Sequence, residues 1–353
     1  MKVMSNNGVI SASLRTDLRP AQPANPQPEP DDGFIELHDF VFGDGGNLAS
    51  LKQHYLTLGT PRRDASGAIV NGVLLLHGTA GSAADLVQPA FFEALYGAGK
   101  PLDLSRYFLA IPDVIGAGDS SKSSDGLHAH FPHYGYRDQV RAQHLPLERI
   151  GIKHLRLVLG TSMGGTQTWL WGEMFPDDMD CLVALASTPA AISGRNMIWR
   201  EMISQVIRSD PDWKNGDYPK DSPPKNWIMT GSSGQFQRQA PTRETAIDLV
   251  DTLVAEGEAY DANDVLYIFE SSADYDPVPK LNAIIKPMLT INFADDLTNP
   301  PEFLRLPTAS NYTEVMFPAD PAGYGHMTIA HPAVWASALG SFVQHLPHKG
   351  SRA

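Results

Sequence analysis

The chain has a single cysteine, Cys181, in 353 residues. One thiol forbids an internal disulfide and any thiolate-cluster metal site. It stands in the apolar run CLVALA, where a free thiol reads as a small buried hydrophobe. Basic residues are also in deficit, with 27 Lys and Arg against 40 Asp and Glu, a net charge of −13. That balance argues against a phosphate backbone or an anionic membrane surface as partner. No window approaches the eighteen consecutive apolar residues of a membrane span. The opening MKVMSNNGVISASL lacks the apolar core of a secretory signal, and RPAQPANPQPEPDDG after it is rich in proline and acid. Residues 1–33 therefore read as an extended leader. Such a leader fits a cytoplasmic chain as well as an exported one whose signal has been removed, so the compartment stays open.

What remains is enough for one large core. At this length about three quarters of the unfolded surface can be buried without covalent staples. From Gly33 onward short apolar runs alternate with helical patterns. FIELHDFVF and LKQHYLTLG read as a hairpin across GDGGN. GVLLLH (72–77) and YFLAIP (107–112) are near-continuous apolar runs, the pattern of strands buried on both faces. A helix follows over 137–150, which Pro146 is expected to kink or divide. Residues 154–159 form the next strand, 163–175 a helix and 180–186 a strand; strands at 287–293 and 312–317 and a helix at 332–345 close the chain. Strands alternating with helices imply an α/β fold with a mostly parallel sheet. Residues 188–276 break the rhythm with helical patterns and no convincing strand. Inserted between two strands, they would sit over the carboxyl edge of the sheet, where ligands bind. This segment reads as a helical lid, inserted in a core of 34–187 and 277–347, with a tail at 348–353.

The chemistry centres on LRLVLGTSMGGTQTW (155–169). Gly160-Thr161-Ser162-Met163-Gly164 matches G-x-S-x-G, with a strand pattern before it and a helix pattern after it. The small residues on either side let strand and helix approach, and the turn sets Ser162 at a helix N-terminus that favours developing negative charge. A phosphate loop is excluded because no G-K-[ST] follows.

A serine hydroxyl needs a base to take its proton. With this turn the partners follow in the order serine, acid, histidine. Downstream of the lid stand four histidines. His326, in the glycine-flanked GYGHMT, is favoured over His331, at the start of the last helix, and over His345 and His348 in the tail. The acid lies in NFADDLTNPPE, where Asp295 and Asp296 are adjacent and only one can face the imidazole. Oxyanion donors are expected from the amides of Met163, after the serine, and Thr79, in HGTAGS. His77 in that loop reads as structural. The HAHFPH run (His128, His130, His133) lacks metal-ligand spacing, DVIGAGDSSK reads as an ordinary loop, and Trp199, Trp213 and Trp227 as core or substrate wall. No metal or cofactor is called for.

The chain resembles the homoserine O-acetyltransferase-like family of α/β-hydrolases. The resemblance is carried by FPHYGYRDQVRAQHLPLERIGIKHLRLVLGTSMGG (131–165), the DPDW…GDY run, YDANDVLYIFESSADYDP (260–277), NFADDLTNPPE and GYGH, and spans about Phe34 to Leu346. It implies the α/β-hydrolase fold and an acyl-enzyme built on Ser162, Asp296 and His326. In hydrolases of this type the acid stands four residues before a proline, which selects Asp296 through Pro300. Two departures bear on substrate. Members that acetylate homoserine carry an arginine just before D-A-N, where this chain has Ala259, and H-A-L-T-G where it has His77-Gly78-Thr79-Ala80-Gly81. Losing a bidentate carboxylate clamp weakens amino-acid recognition. The expectation is a serine hydrolase of carboxylic esters or related acyl substrates, with an acetyl-CoA-dependent O-acyltransferase as the alternative. The partners implied are a small-molecule acyl substrate and, through the lid, a second copy of the chain; no substrate-binding residue is assigned.

Overall fold

The computed structural model describes residues 27–218, 233–257, 260–303, 306, 311–320 and 322–345. The tail, most of the leader, Trp227 and Ala259 lie outside them. Eight strands form one sheet: β1 (Asp31–Val41), β2 (Asn47–Leu58), β3 (Gly72–Leu76), β4 (Phe108–Pro112), β5 (Leu157–Thr161), β6 (Leu182–Leu185), β7 (Met288–Phe293) and β8 (Tyr312–Phe317). Their order is β1-β2-β4-β3-β5-β6-β7-β8. The β1–β2 hairpin is antiparallel and joins β4 antiparallel; from β4 to β8 every pairing is parallel.

Every residue of β3, β4, β5, β6 and β7 is buried, because helices cover both faces of the sheet. The period of two sorts their side chains. Leu74, Leu76 and Val158 pack on one face with Trp169 and Trp171, whereas Val73, Leu75, Leu157 and Leu159 pack on the other with Trp335 and Leu339. The helices are α1 (Pro89–Phe91, a single turn), α2 (Tyr136–Ile150), α3 (Met163–Met174), α4 (Gly194–Ser209), α5 (Ser233–Gln239), α6 (Arg243–Gly257), α7 (Ala262–Glu270) and α8 (Pro332–Gln344). Among the described residues the connection from β6 to β7 holds helices α4 to α7 and no strand. None of the described helices is long and apolar enough to cross a membrane.

Several elements differ from the sequence expectation. β1 begins at Asp31, inside the segment read as leader, because Asp31, Asp32 and Gly33 pair with Thr57, Leu56 and Tyr55 of β2. The strand expected over 154–159 is displaced to Leu157–Thr161. His154 and Arg156 are drawn to the Asp180 carboxylate instead, the former at 2.8 Å. Helix α2 runs unbroken through Pro146, which falls in its last turns, before Gly151 closes it in the left-handed region at φ 98°.

Candidate active site

Ser162 sits between β5 and α3 with φ 55° and ψ −114°, a backbone conformation rare for any side chain but glycine. Such a conformation costs about 1–3 kcal/mol and persists only where its surroundings over-determine it. They do so here. The Ser162 amide still bonds the Leu185 carbonyl of β6 at 2.9 Å, while its own carbonyl already accepts the Thr166 N–H of α3 at 2.9 Å. The strand therefore turns into the helix within one residue, and only glycine fits around the bend. A Cβ on Gly160 would lie 2.0 Å from the Gly164 carbonyl oxygen; one on Gly164 would lie 2.2 Å from that of Leu76. The tight turn leaves the hydroxyl projecting from the carboxyl edge of the sheet.

His326 Nε2 lies 2.8 Å from Ser162 Oγ, and His326 Nδ1 lies 2.8 Å from Asp296 Oδ2. All three residues are buried. The histidine is carried on a short 3₁₀ turn (Gly325–Ala330) after β8, the acid on the loop after β7. Asp296 Oδ1 accepts the backbone N–H groups of Thr298 at 2.7 Å and Asn299 at 2.8 Å. Two amide donors on one oxygen fix which oxygen faces the ring. The alternative acid, Asp295, does not reach the imidazole. Burial raises its pKa, with the Asp296 and Asp320 charges adding to the effect. Of the other candidate histidines, His331 occupies the N-terminal boundary of α8 and stacks on Tyr324 with centroids 3.7 Å apart, and His345 bonds its own helix at Ser341.

The family model for the α/β hydrolase fold matches residues 71–319. A homoserine O-acetyltransferase of Thermobifida fusca is 35% identical over 206 residues, 54% of this chain and 53% of that protein. One of Pelobacter propionicus is 30% identical over 280 residues, 69% of this chain and 74% of its own. The crystal structure of esterase E22 aligns with a TM-score of 0.76 at 18% identity, over 89% of this chain and 100% of that one, a likeness of fold.

The chain belongs to the α/β-hydrolase fold family, among the relatives of the homoserine O-acetyltransferases. It is an enzyme of that fold. In this α/β-hydrolase the loop after β3 is held to the bend by the Gly164 N–H, which donates to the His77 carbonyl at 3.0 Å. A Cβ on Gly78 would lie 3.4 Å from Ser162 Cβ, so the loop passes directly beside the serine. Among the described residues neither the Met163 nor the Thr79 amide donates to a protein acceptor. His77 is structural. Its Nε2 accepts the Val114 N–H at 3.1 Å, which leaves the proton on Nδ1 to reach the Gly78 carbonyl at 2.9 Å.

One feature of this α/β-hydrolase was not legible in the sequence. DVIGAGDSSK is no ordinary loop, since Asp113 is a buried hub. Its Oδ1 accepts the Ala83 N–H at 2.6 Å, and its Oδ2 accepts that of Asp119 at 2.8 Å and meets His54 Nδ1 at 2.6 Å. Burial pulls the His54 pKa down, but the hydrogen bonds and charges of Asp113 and Asp32 together outweigh it and leave the pKa raised. The partners lie 59 positions apart, beyond any local signal. A separate feature is a buried arginine, Arg200 on α4. It lines a cavity of about 680 Å³ with Tyr134, Tyr267 and Tyr275. A smaller cavity, about 240 Å³, lies against Thr166, Thr298 and Asn299. Neither includes Ser162 or His326 in its walls. Trp213 donates to Asn263 Oδ1 at 2.9 Å, a packing role.

Proposed function

We propose that this α/β-hydrolase is a serine hydrolase acting on carboxylic esters through an acyl-enzyme. Ser162 Oγ attacks the carbonyl carbon while its proton passes to His326 Nε2, and the carbonyl electron pair moves onto oxygen. Asp296 holds the imidazole with its proton on Nδ1 and stabilises the imidazolium. The Met163 and Thr79 amides take the oxyanion, each worth roughly 3 kcal/mol. Collapse expels the alcohol, which carries away the proton from Nε2. Water, deprotonated by the same nitrogen, then attacks the acyl carbon; the C–Oγ bond breaks, Ser162 Oγ takes the proton back from Nε2, and the acid leaves. The observation that supports this most is the 2.8 Å approach of His326 Nε2 to Ser162 Oγ, with a doubly braced carboxylate behind it.

The segment 188–276 is proposed as the lid over a core of 34–187 and 277–347. Ile198 and Met202 on α4 and Ile247 and Val250 on α6 are exposed, and pairing of two copies through this segment would cover them.

The relatives named homoserine O-acetyltransferase favour a second reading, in which an alcohol rather than water takes the acyl group from the same intermediate. Against it, the clamp arginine is replaced by Ala259 and the two arginines of early α4 are engaged elsewhere, Arg195 at the Leu297 carbonyl and Arg200 on neutral acceptors. Incubation with p-nitrophenyl acetate, and separately with acetyl-CoA and homoserine, distinguishes the two. Ester turnover without O-acetylhomoserine supports the hydrolase; rapid transfer with little ester hydrolysis would replace it by the transferase.

A further inference from the structure

The loop that carries Asp296 is tied to α4 by a buried polar chain. The Asn299 N–H donates to Asp296 Oδ1 at 2.8 Å. The Asn299 side chain donates from Nδ2 to the Ala186 carbonyl at 2.7 Å and accepts, on Oδ1, from Asn196 Nδ2 at 2.7 Å. Asn196 Oδ1 accepts from Arg200 Nε at 2.8 Å. Arg200 then donates from Nη1 to the Phe269 carbonyl at 2.9 Å and from Nη2 to the Tyr136 hydroxyl at 3.2 Å. Asn299, Asn196 and Arg200 are 8%, 7% and 6% exposed, so water cannot replace these bonds freely.

The chain has a direction. A guanidinium only donates, so Asn196 must turn its oxygen to Arg200 and its NH₂ to Asn299. Asn299 must then turn its oxygen to Asn196 and its NH₂ to Ala186, whose carbonyl only accepts. One donor-only residue at the end thus fixes both amides. Among the described residues Arg200 forms no ion pair, although buried charges are ordinarily paired. A buried cation kept on neutral acceptors costs stability, which asks for a reason other than stability.

We propose that Arg200, Asn196 and Asn299 are a positioning relay. They hold the Asp296 loop, and with it the His326 ring, in register with the packing of α4 against α2 and α7. The proposal rests on the roles given above to Asp296 and His326. No member of the relay touches the reacting atoms. Each acts by fixing the backbone amide that Asp296 accepts.

Two variants test it. Asn196→Leu alters no charge and removes both relay bonds of that residue. A less firmly held Asp296 stabilises the imidazolium less, so the His326 titration midpoint, read by NMR, moves to lower pH, and the acid limb of kcat/KM moves with it. Asn196→Asp keeps an acceptor for Arg200 but removes the donor to Asn299. It is expected to lose roughly tenfold or more in kcat, with KM within about twofold and the thermal midpoint within a few degrees. Glu201→Gln, on the same helix and outside the relay, is the control and leaves all three readouts in place. Should Asn196→Leu fail to fold, Asn196→Asp decides alone. Asn196→Asp with kcat within twofold of wild type, or folded Asn196→Leu with an unmoved His326 titration, overturns the relay. The NMR titration needs no turnover, so a wild type that hydrolyses no ester counts against the proposed function and leaves the relay to be judged on its own readout.

Discussion

Replacing Asp296 by asparagine is the perturbation whose outcome the geometry constrains most tightly. Asp296 Oδ1 accepts two backbone N–H groups, at 2.7 and 2.8 Å, and only an oxygen can occupy that position. An asparagine must therefore keep its oxygen there and turn its NH₂ toward His326 Nδ1, where Oδ2 now lies at 2.8 Å. The amide would donate to Nδ1 and drive the ring proton to Nε2, which then points an N–H at Ser162 Oγ. In that tautomer the base cannot take the serine proton. The equivalent substitution in the Ser-His-Asp proteases, a worked precedent, lowers kcat about 10⁴-fold, or roughly 5.4 kcal/mol. The same loss is expected here near neutral pH. Every bond to the loop amides survives, so the thermal midpoint should hold. The assay is p-nitrophenyl acetate hydrolysis from pH 5 to 10 beside calorimetry of the same preparation. A folded Asp296→Asn enzyme within tenfold of wild type would refute the reasoning. Asp295→Asn, by contrast, should retain activity within a few fold.

Gly164→Ala should destabilise by about 3 kcal/mol or more, because the new Cβ meets a backbone oxygen at 2.2 Å that cannot swing aside; an unchanged urea midpoint would contradict the packing described. Asp264 binds the Ser124 amide at 2.9 Å and hydroxyl at 2.5 Å, and burial raises its pKa to about 6. A carboxyl with a raised folded pKa binds its proton more tightly in the folded state, so stability falls as pH rises from about 4 through 6. Asp264→Asn should remove that slope and stabilise the protein above pH 6 by about 1–3 kcal/mol; a wild-type-like pH dependence of the midpoint would argue against the assignment. Light scattering should report a dimer that Ile198→Lys together with Met202→Lys converts to monomer, whereas a monomeric wild type would remove the proposed pairing.

The parts of the site legible in the sequence are those with local signatures. The glycines around Ser162 announce a bend that excludes side chains, and the structure gives each a steric cause. GYGH and the ADDLTNP run stand at strand ends, where chain order alone restricts the candidates for base and acid to a few positions. The choice of Asp296 over Asp295 needed family knowledge, because adjacent carboxylates look alike until the Thr298 and Asn299 amides are seen to select one. The parallel strands were legible as apolar runs, but the edge of β5 was not. His154 and Arg156 both bond the Asp180 carboxylate, a contact set by tertiary approach. Asp113 with His54, and Asn299 with Asn196 at a separation of 103, were hidden for the same reason. Buried polar pairs formed across the fold leave no period and no spacing to read.

The central claim is that Ser162 is a nucleophile activated by His326, and mass spectrometry after treatment with a fluorophosphonate tests it directly. One adduct per chain is expected, on the peptide holding Ser162, absent from Ser162→Ala and formed at least a hundredfold more slowly by His326→Ala. An intact, folded protein that takes no adduct, or takes it on another residue, would contradict it.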